Sequence, residues 1–196
     1  MKKILLLFLI LISLISSAQE EFFGKHNGLS IGYGQSLNEQ TKFQSVALGV
    51  FFNQSISFGA GLGQFNDRTN LTIGLAYFTG KRRPENEVKN YIGVTYSSIE
   101  EINIAGLTVG AYKVFLSETK FPFSLNMSFI AQMAFQESQW ETNYRMVPLF
   151  SFVFRQAFFA TNGIYPVAGI GANYNIDTSR FLYSATAGLN IKINND

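Results

Sequence analysis

The side chains most able to do chemistry in this sequence are few and lie near its amino end. The single histidine, His26, precedes the first alternating segment and adjoins the turn-prone Asn27-Gly28 pair. A general base must lie within hydrogen-bond reach of the proton it removes. Glu20 and Glu21 are close to His26 in sequence, but no nucleophile is identifiable beside them. With one histidine and no cysteine, a metal site is also poorly supplied, so we predict no catalytic, metal or cofactor site.

A glycine-rich segment, residues 59–63, is superficially similar to a dinucleotide-binding loop. Such a loop follows a strand and opens a helix, whereas this segment lies inside an alternating stretch and is followed by Asn and Asp. The segment therefore does not predict nucleotide binding.

The first 18 residues have the composition of a secretory signal peptide. Lys2 and Lys3 form the charged start, residues 4–15 are apolar except for Ser13, and residues 16–18 are small. The alternative is a membrane anchor, but a helix needs about 20 apolar residues to span a bilayer. We predict cleavage after Ala18. Residues 19–196 then form one domain with equal numbers of basic and acidic side chains, a balance that gives no reason to expect nucleic-acid binding.

The elements that position these side chains follow from a period of two. Residues 123–136 carry Phe, Leu, Met or Ala at odd positions and mostly Ser, Asn or Gln at even ones. This pattern is typical of a strand, because successive side chains point to opposite faces. Fourteen residues at about 3.3 Å each, inclined by about 45°, rise roughly 33 Å, which exceeds the ~25 Å apolar band of a membrane barrel.

Nine further segments alternate in the same way, with no helical pattern between them. The ten predicted strands are residues 29–35, 45–52, 56–63, 71–78, 91–97, 102–115, 123–136, 146–155, 163–175 and 181–193. An even number permits closure of an antiparallel barrel. We predict an all-β, closed, antiparallel, up-and-down transmembrane β-barrel of ten strands, with eight as the alternative if a weak run such as residues 91–97 is a loop.

Composition favours a membrane location for this barrel. Hydrophobic residues make up 47% of the chain and charged residues only 14%, against about 25% in soluble proteins. Closure pairs every backbone donor and acceptor, as hydrocarbon requires. Lys113 is an exception on the predicted outer face. It lies near a strand end, where its amine can reach the lipid headgroups, unless a β-bulge resets the register.

The predicted inner face is rich in Ser, Thr, Asn, Gln and Gly, with Arg155 and Lys192 as its clearest charges. Both are expected near the periplasmic end of the lumen. Because an unpaired buried charge is expensive, we expect Glu20 or Glu21 to fold in and pair with them. A barrel of eight to ten strands is largely filled by side chains, so the lumen should be mostly closed.

Aromatic residues near strand ends are expected at the membrane interfaces. The candidates are Trp140, Tyr144, Tyr174 and Tyr183. Strand parity places the loop with Trp140 and Tyr144 outside the cell, where adhesion is an alternative role. The same parity places the basic residues 81–83 in the periplasm as a solvated turn, rather than against lipopolysaccharide phosphates.

The signal, the alternating strands from Leu29 onward and the closing residues 181–193 resemble small outer-membrane β-barrel proteins of the OmpX/OmpA type, the outer-membrane β-barrel domain family. The resemblance is one of pattern, covers nearly all of the mature chain and includes no specific motif. It implies a bacterial outer-membrane location, contact with membrane lipid and lipopolysaccharide, insertion by the barrel-assembly machinery, and a monomer. One departure is the carboxyl end, where residues 194–196 replace the terminal aromatic that such barrels commonly present to that machinery.

These features together predict a non-enzymatic integral outer-membrane barrel with a structural or surface-interaction role and a largely closed, polar lumen. A narrow passive channel for water or small solutes is the alternative. A soluble, exported, lipocalin-like barrel around an apolar ligand is a further alternative, in which the polarity of the two faces would be reversed.

Overall fold

A computed structural model describes residues 22–23, 27–38, 42–52, 55–65, 68–79, 88–137, 142–160 and 163–193. Within these ranges the strands are β1 (Asn27–Ser36), β2 (Phe43–Phe52), β3 (Ile56–Phe65), β4 (Arg68–Phe78), β5 (Lys89–Ile99), β6 (Ile102–Phe115), β7 (Phe123–Glu137), β8 (Thr142–Ala157), β9 (Ile164–Asn175) and β10 (Arg180–Ile193). Each strand pairs antiparallel with its neighbours in sequence, and β1 pairs with β10. The structure confirms the predicted ten-stranded up-and-down barrel, and β5 excludes the eight-strand alternative.

No helix in the described part of the chain is long and apolar enough to cross a membrane.

The two ends of the barrel differ in their connections. At the terminus end, where β1 begins and β10 ends, the strands are joined by residues 79–88, 116–122 and other segments. At the opposite far end, β3 meets β4 through residues 66–67, and β5 meets β6 through residues 100–101. The longest connections therefore lie at the same end as the two termini.

The strand register fixes how steeply the strands are inclined. Starting at Tyr33 of β1, one can step from each residue to its paired residue on the next strand until β8 is reached. Around the barrel through β2 to β7, these steps end at Tyr144 of β8. In the other direction, through β10 and β9, they end at Gln156 of β8. These two residues are 12 positions apart. With about 3.3 Å per residue and about 4.8 Å between strands, that stagger inclines the strands by about 40°, so each residue rises roughly 2.5 Å along the axis.

Two prolines lie where the pairing of β8 with β9 stops. The shared ladder covers residues 149–157 of β8. The carbonyl oxygen of Pro148 accepts a hydrogen bond from the Ile176 amide at 3.2 Å, and that of Pro166 accepts one from the Phe158 amide at 2.9 Å. Neither proline has an N–H to return the bond, so the ladder ends at each of them. Beyond Pro148, β8 continues toward the far end paired with β7 alone.

Alternate residues of each strand face opposite sides of the wall, as β7 shows. Its large outward side chains are 40–58% exposed; these are Leu125, Met127, Phe129 and Met133. Its neighbouring inward side chains are only 0–6% exposed; these are Ser124, Asn126, Ile130 and Gln132. The apolar face therefore lies outside the barrel, as the sequence predicts.

Lys113 lies on this outward face, beside its partner Leu125 on β7. The pairing of β6 with β7 continues without interruption from Ile102 to Phe115, so no bulge changes the register. The Lys113 ammonium lies 5.2 Å from the centre of the Phe115 ring, near the terminus end of β6. This position allows the amine to reach the level of lipid headgroups.

Candidate functional site in the barrel interior

A small cavity, which we call the polar chamber, lies between the two ends of the barrel and is lined by both polar and apolar residues. Its polar side chains are those of Ser57, Tyr91, Thr95, Thr108, Asn126, Ser128 and Ser151, and Ile130 and Val153 are among its apolar ones. Glycines at 59, 74 and 93 also line it and leave the space open. The chamber has a volume of about 30 Å³. Since one water needs roughly 10–15 Å³, it has room for about two or three water molecules.

The interior side chains near the chamber act through hydrogen bonds. The Tyr91 hydroxyl donates to Oδ1 of Asn126 at 3.0 Å, and the hydroxyls of Thr72 and Ser97 share a hydrogen bond of 2.7 Å. Gln132 is 1% exposed, and its side-chain amide has no hydrogen-bond partner within the described ranges. Neutral donors and acceptors of this kind suit a small uncharged polar solute.

The single histidine, His26, lies outside the described residues. Within them, no three His, Cys, Asp or Glu side chains come together in a way that could hold a metal ion.

An apolar cluster, here called the terminus-end cluster, separates the chamber from the terminus end. Its aromatic members are Phe22, Phe23, Phe51, Phe78, Tyr112 and Tyr165. The Phe78 ring meets those of Phe51 and Tyr112 edge to face, at centroid distances of 5.6 and 5.9 Å. Edge-to-face contacts of this kind are favourable beyond the area that they bury.

Tyr91 connects this cluster with the chamber. Its ring lies 5.4 Å from that of Phe78, while its hydroxyl reaches Asn126 in the chamber lining. The ring lies directly over Gly110 of β6, where any Cβ would overlap it. The terminus-end cluster is therefore the floor of the polar chamber.

Two aromatic members of the cluster come from outside the barrel wall. Phe22 and Phe23 precede β1 and are only 6% and 1% exposed. The Phe23 ring stacks on Phe51 at 5.9 Å with an angle of 19° between the planes. The carbonyl oxygen of Phe22 accepts a hydrogen bond from the Tyr165 hydroxyl at 3.1 Å. A Cβ on Gly28 would overlap the Phe23 ring, so this glycine makes room for it.

Several inward side chains near the far end are also apolar. They are 0–4% exposed and include Phe43, Ile99, Ile104, Val147, Leu149 and Leu182. The described interior therefore has apolar side chains toward both ends, among buried polar ones such as Asn70, Asn175 and Arg155, whereas the sequence predicts an inner face of Ser, Thr, Asn, Gln and Gly. Alternation assigns a residue to a face of the wall, but it does not show which inward residues meet at the same level along the barrel axis. Two adjacent apolar residues at a strand end, such as Phe51 and Phe52, are the signal that could have indicated inward apolar side chains there.

The two predicted lumen cations both lie toward the terminus end. Arg155 is 2% exposed on the inner face of β8. The Lys192 ammonium donates to the Ala160 carbonyl at 2.7 Å and lies 5.2 Å from the centre of the Tyr165 ring. Glu20 and Glu21 lie outside the described residues, so their pairing with these cations stays a prediction.

Three of the four predicted interface aromatics, Tyr144, Tyr174 and Tyr183, lie on the outer face near the far end. Tyr174 and Tyr183 form a row with Phe181, at centroid distances of 4.9 and 6.1 Å. Tyr144 is 68% exposed. It lies six residues beyond Phe150, the β8 partner of Tyr174, and therefore roughly 15 Å farther from the terminus end than Phe150. Trp140 lies outside the described residues.

Two further outward tyrosines escaped the sequence reasoning. The Tyr33 hydroxyl donates to Oε1 of Gln35 at 3.3 Å, and the Tyr96 hydroxyl donates to Oδ1 of Asn103 at 2.8 Å. In each pair the ring lies beside apolar neighbours while the hydroxyl is bonded to an amide nearer the far end, as interface tyrosines require. Their outward parity and distance from the strand end were the available signals.

No family model matches the sequence, and no curated protein matches it. Several solved outer-membrane barrels are similar in structure. Neisserial surface protein A aligns with a TM-score of 0.44 and 10% identity, over 86% of this chain and 96% of that one. KdgM porin gives 0.48 and 6% identity, over 85% and 99% of the two chains. The N-terminal β-barrel domain of Pseudomonas aeruginosa OprF gives 0.36 and 8%, over 86% and 98%. Identities this low concern the fold alone.

Proposed function

We propose that the protein is a non-enzymatic integral barrel of the bacterial outer membrane, with a structural or surface-interaction role and a closed lumen. The exposure of the outer face carries this proposal. Leu48, Leu62 and Ile170 belong to different strands and are 60–61% exposed. Soluble monomers rarely expose contiguous apolar patches larger than a few hundred Å². Lipid tails would solvate the same side chains without the free-energy cost of exposing apolar surface to water.

The height of the apolar face supports a bilayer as the surrounding solvent. On β10 the outward residues from Phe181 to Ile193 are all apolar or Tyr. Twelve residue steps at about 2.5 Å each span roughly 30 Å, enough for the ~25 Å apolar band of such barrels. Outward Gln44 and Gln64, which share a hydrogen bond of 3.1 Å, lie within two positions of a strand end. Polar side chains of this kind suit the membrane boundary.

The connections favour a terminus end that faces the periplasm. The predicted signal peptide would deliver the chain to the periplasm, so the far-end connections would have to cross the bilayer during insertion. Crossing is least costly for short connections, such as residues 66–67 and 100–101. The connection of residues 79–88, which contains several charged side chains, would remain in the periplasm. Among the described residues, the part that extends farthest on the outside is the β7–β8 hairpin, where Tyr144 and Met146 are 68% exposed. A surface-interaction role would fall mainly to it.

This proposal implies contact with outer-membrane lipid and lipopolysaccharide, insertion by the barrel-assembly machinery and a monomeric state. Fractionation tests it. The protein should stay with the outer membrane through high-salt and alkaline washes, and its gel mobility should shift on heating. Release into the wash would contradict the proposal and favour a soluble exported barrel. That alternative needs an interior large enough for an apolar ligand, whereas the chamber has a volume of only about 30 Å³.

The polar chamber is the observation that favours the second candidate, a narrow channel for water or small solutes. A continuous path would have to pass the buried apolar side chains at both ends, including Phe78 at 6% and Leu149 at 0% exposure. Planar-bilayer recordings separate the two candidates. The closed barrel predicts no discrete conductance steps, and regular steps would favour the channel.

A further inference from the structure

The side of β8 that faces β9 loses its partner strand toward the far end. β7 pairs with residues 142–156 of β8, whereas β9 pairs only with residues 149–157. Within the described chain, residues 142–147 of β8 are therefore paired on one side only. We call their other side the free edge of β8. An edge of this kind presents unpaired backbone N–H and C=O groups to a further strand.

The ladder bonds show which residues point their backbone groups into the free edge. The amide of Ala157 donates to the carbonyl oxygen of the residue before β7 at 2.9 Å, so odd-numbered residues of β8 bond toward β7. The carbonyl oxygen of Pro148 accepts from the amide of the residue after β9 at 3.2 Å, so even-numbered residues bond toward β9. The N–H and C=O groups of Tyr144 and Met146 therefore point into the free edge, where no described residue bonds them.

The free edge is open to solvent. Tyr144 and Met146 are each 68% exposed. The β9–β10 connection does not continue the ladder along them, because it closes on itself through a hydrogen bond of 2.9 Å from the Thr178 amide to Oδ1 of Asn175. Unpaired backbone groups are expensive in hydrocarbon. In a membrane barrel, the free edge must therefore lie in water, beyond the apolar band.

The side chains beside the free edge define the kind of strand that would pair with it. Tyr144 and Met146 lie on the outer face, and the half-buried Arg145 lies between them on the opposite face. Arg145 forms no ion pair with a described residue. Directly opposite side chains on one face of a sheet interact. An added strand would therefore place apolar side chains beside Tyr144 and Met146, and a carboxylate beside Arg145.

The free edge of a second copy in the same membrane does not fit this edge. Copies in one membrane point the same way, and their β8 strands are inclined by about 40°. A two-fold axis along the membrane normal would make the two strands cross at about 80°, so that no ladder could form between them. The geometry therefore favours a different protein as the source of the added strand.

We propose that the free edge of β8 binds an extended segment of another protein as an added β-strand, and that apolar and acidic side chains alternate along this segment. Hydrogen bonds to the backbones of Tyr144 and Met146 would supply affinity, and the alternating side chains would supply specificity. This role rests on the proposed surface-interaction function and specifies the chemistry of the partner.

The probe is a synthetic peptide of about ten residues in which valine alternates with glutamate. Its binding to the purified barrel in detergent is measured by fluorescence anisotropy. Met146→Pro removes the free N–H but leaves the β7–β8 ladder intact, because the Met146 amide points away from β7. This variant should bind the peptide about tenfold more weakly, or worse. Met146→Val is the matched control, which keeps the N–H and should bind as the unaltered barrel does.

Two further measurements separate strand addition from simple adhesion. Arg145→Glu should weaken binding of the glutamate peptide and strengthen binding of a matching peptide that has lysine in place of glutamate. In amide hydrogen exchange, the glutamate peptide should slow exchange at Tyr144 and Met146 by about tenfold or more. Exchange at Arg145, whose amide bonds toward β7, should not respond.

No binding to the unaltered barrel, or equal binding by Met146→Pro and Met146→Val, would overturn the proposal. So would protection of the Tyr144 and Met146 amides by self-association without peptide, which would assign the edge to a second copy. Heat-dependent gel mobility establishes folding first, and if Met146→Pro does not fold, the exchange result on the unaltered barrel decides. Failure of the peptide to bind a barrel that resists the membrane washes would refute the added strand alone, whereas release by the washes would refute the proposed function.

Discussion

Replacing Leu48 by arginine places a charge in the middle of the outer face of β2. Leu48 is 60% exposed and is paired with Ile31 and Ala60, which face the same side. In a bilayer this change should cost about 2–4 kcal/mol of folding free energy, because the guanidinium lies near the midplane. Gln44→Arg is the matched control. It lies on the same face of the same strand, four residues nearer the far end, which is roughly 10 Å at about 2.5 Å per residue.

At that depth an arginine should cost only about 0–1 kcal/mol. The two variants are compared by reversible urea unfolding in phosphatidylcholine vesicles, with folding followed by heat-dependent gel mobility. The expected result is a difference of a few kcal/mol between Leu48→Arg and Gln44→Arg. In a water-soluble barrel both would be surface substitutions, which usually change stability by less than about 0.5 kcal/mol. Equal effects of that size would therefore refute the assignment of the outer face to lipid.

Three further predictions concern the interior. Glu20→Gln combined with Glu21→Gln should lower the melting temperature in detergent if these carboxylates pair with Arg155, and an unchanged melting temperature would contradict the pairing. Tyr91→Phe should destabilise the barrel by about 0.5–1.5 kcal/mol in urea unfolding, through the lost hydrogen bond to the chamber lining; no loss would show that this bond contributes nothing. Gly110→Ala should cost about 1–3 kcal/mol because its Cβ overlaps the Tyr91 ring. That cost should largely disappear in a Tyr91→Ala background, and equal costs in both backgrounds would argue against the contact.

The strands were predictable because the wall imposes a simple rule on every residue. Each inward position faces a crowded interior and each outward position an apolar environment. The predicted bounds of β6, residues 102–115, are those that the structure shows, although alternation in this run is less clean than in β7. Alternation of side chains fails to predict a strand where the strand extends beyond the apolar surroundings of the outer face. β8 begins at Thr142, before the predicted residue 146, because pairing with β7 sustains it where its side chains no longer alternate cleanly.

The interior was less predictable, since it depends on residues that are distant in sequence. Phe22 and Tyr165 are 143 positions apart, yet the hydroxyl of one bonds the backbone of the other. No local pattern indicates such a contact. The inward parity of Phe51 and Phe78 was evident from alternation, but their meeting at one height follows from the 12-residue stagger of the closed barrel. The polar chamber and the cluster below it therefore emerge only once closure is known.

The account depends most on which side of the wall meets lipid, and spin labels on two adjacent residues of β7 test this directly. In vesicles, a label at Met127→Cys should collide readily with oxygen and little with a water-soluble nickel chelate. A label at Ser128→Cys should be protected from both. A Met127→Cys label more accessible to the nickel chelate than to oxygen would show water on the outer face and would contradict a membrane-embedded barrel.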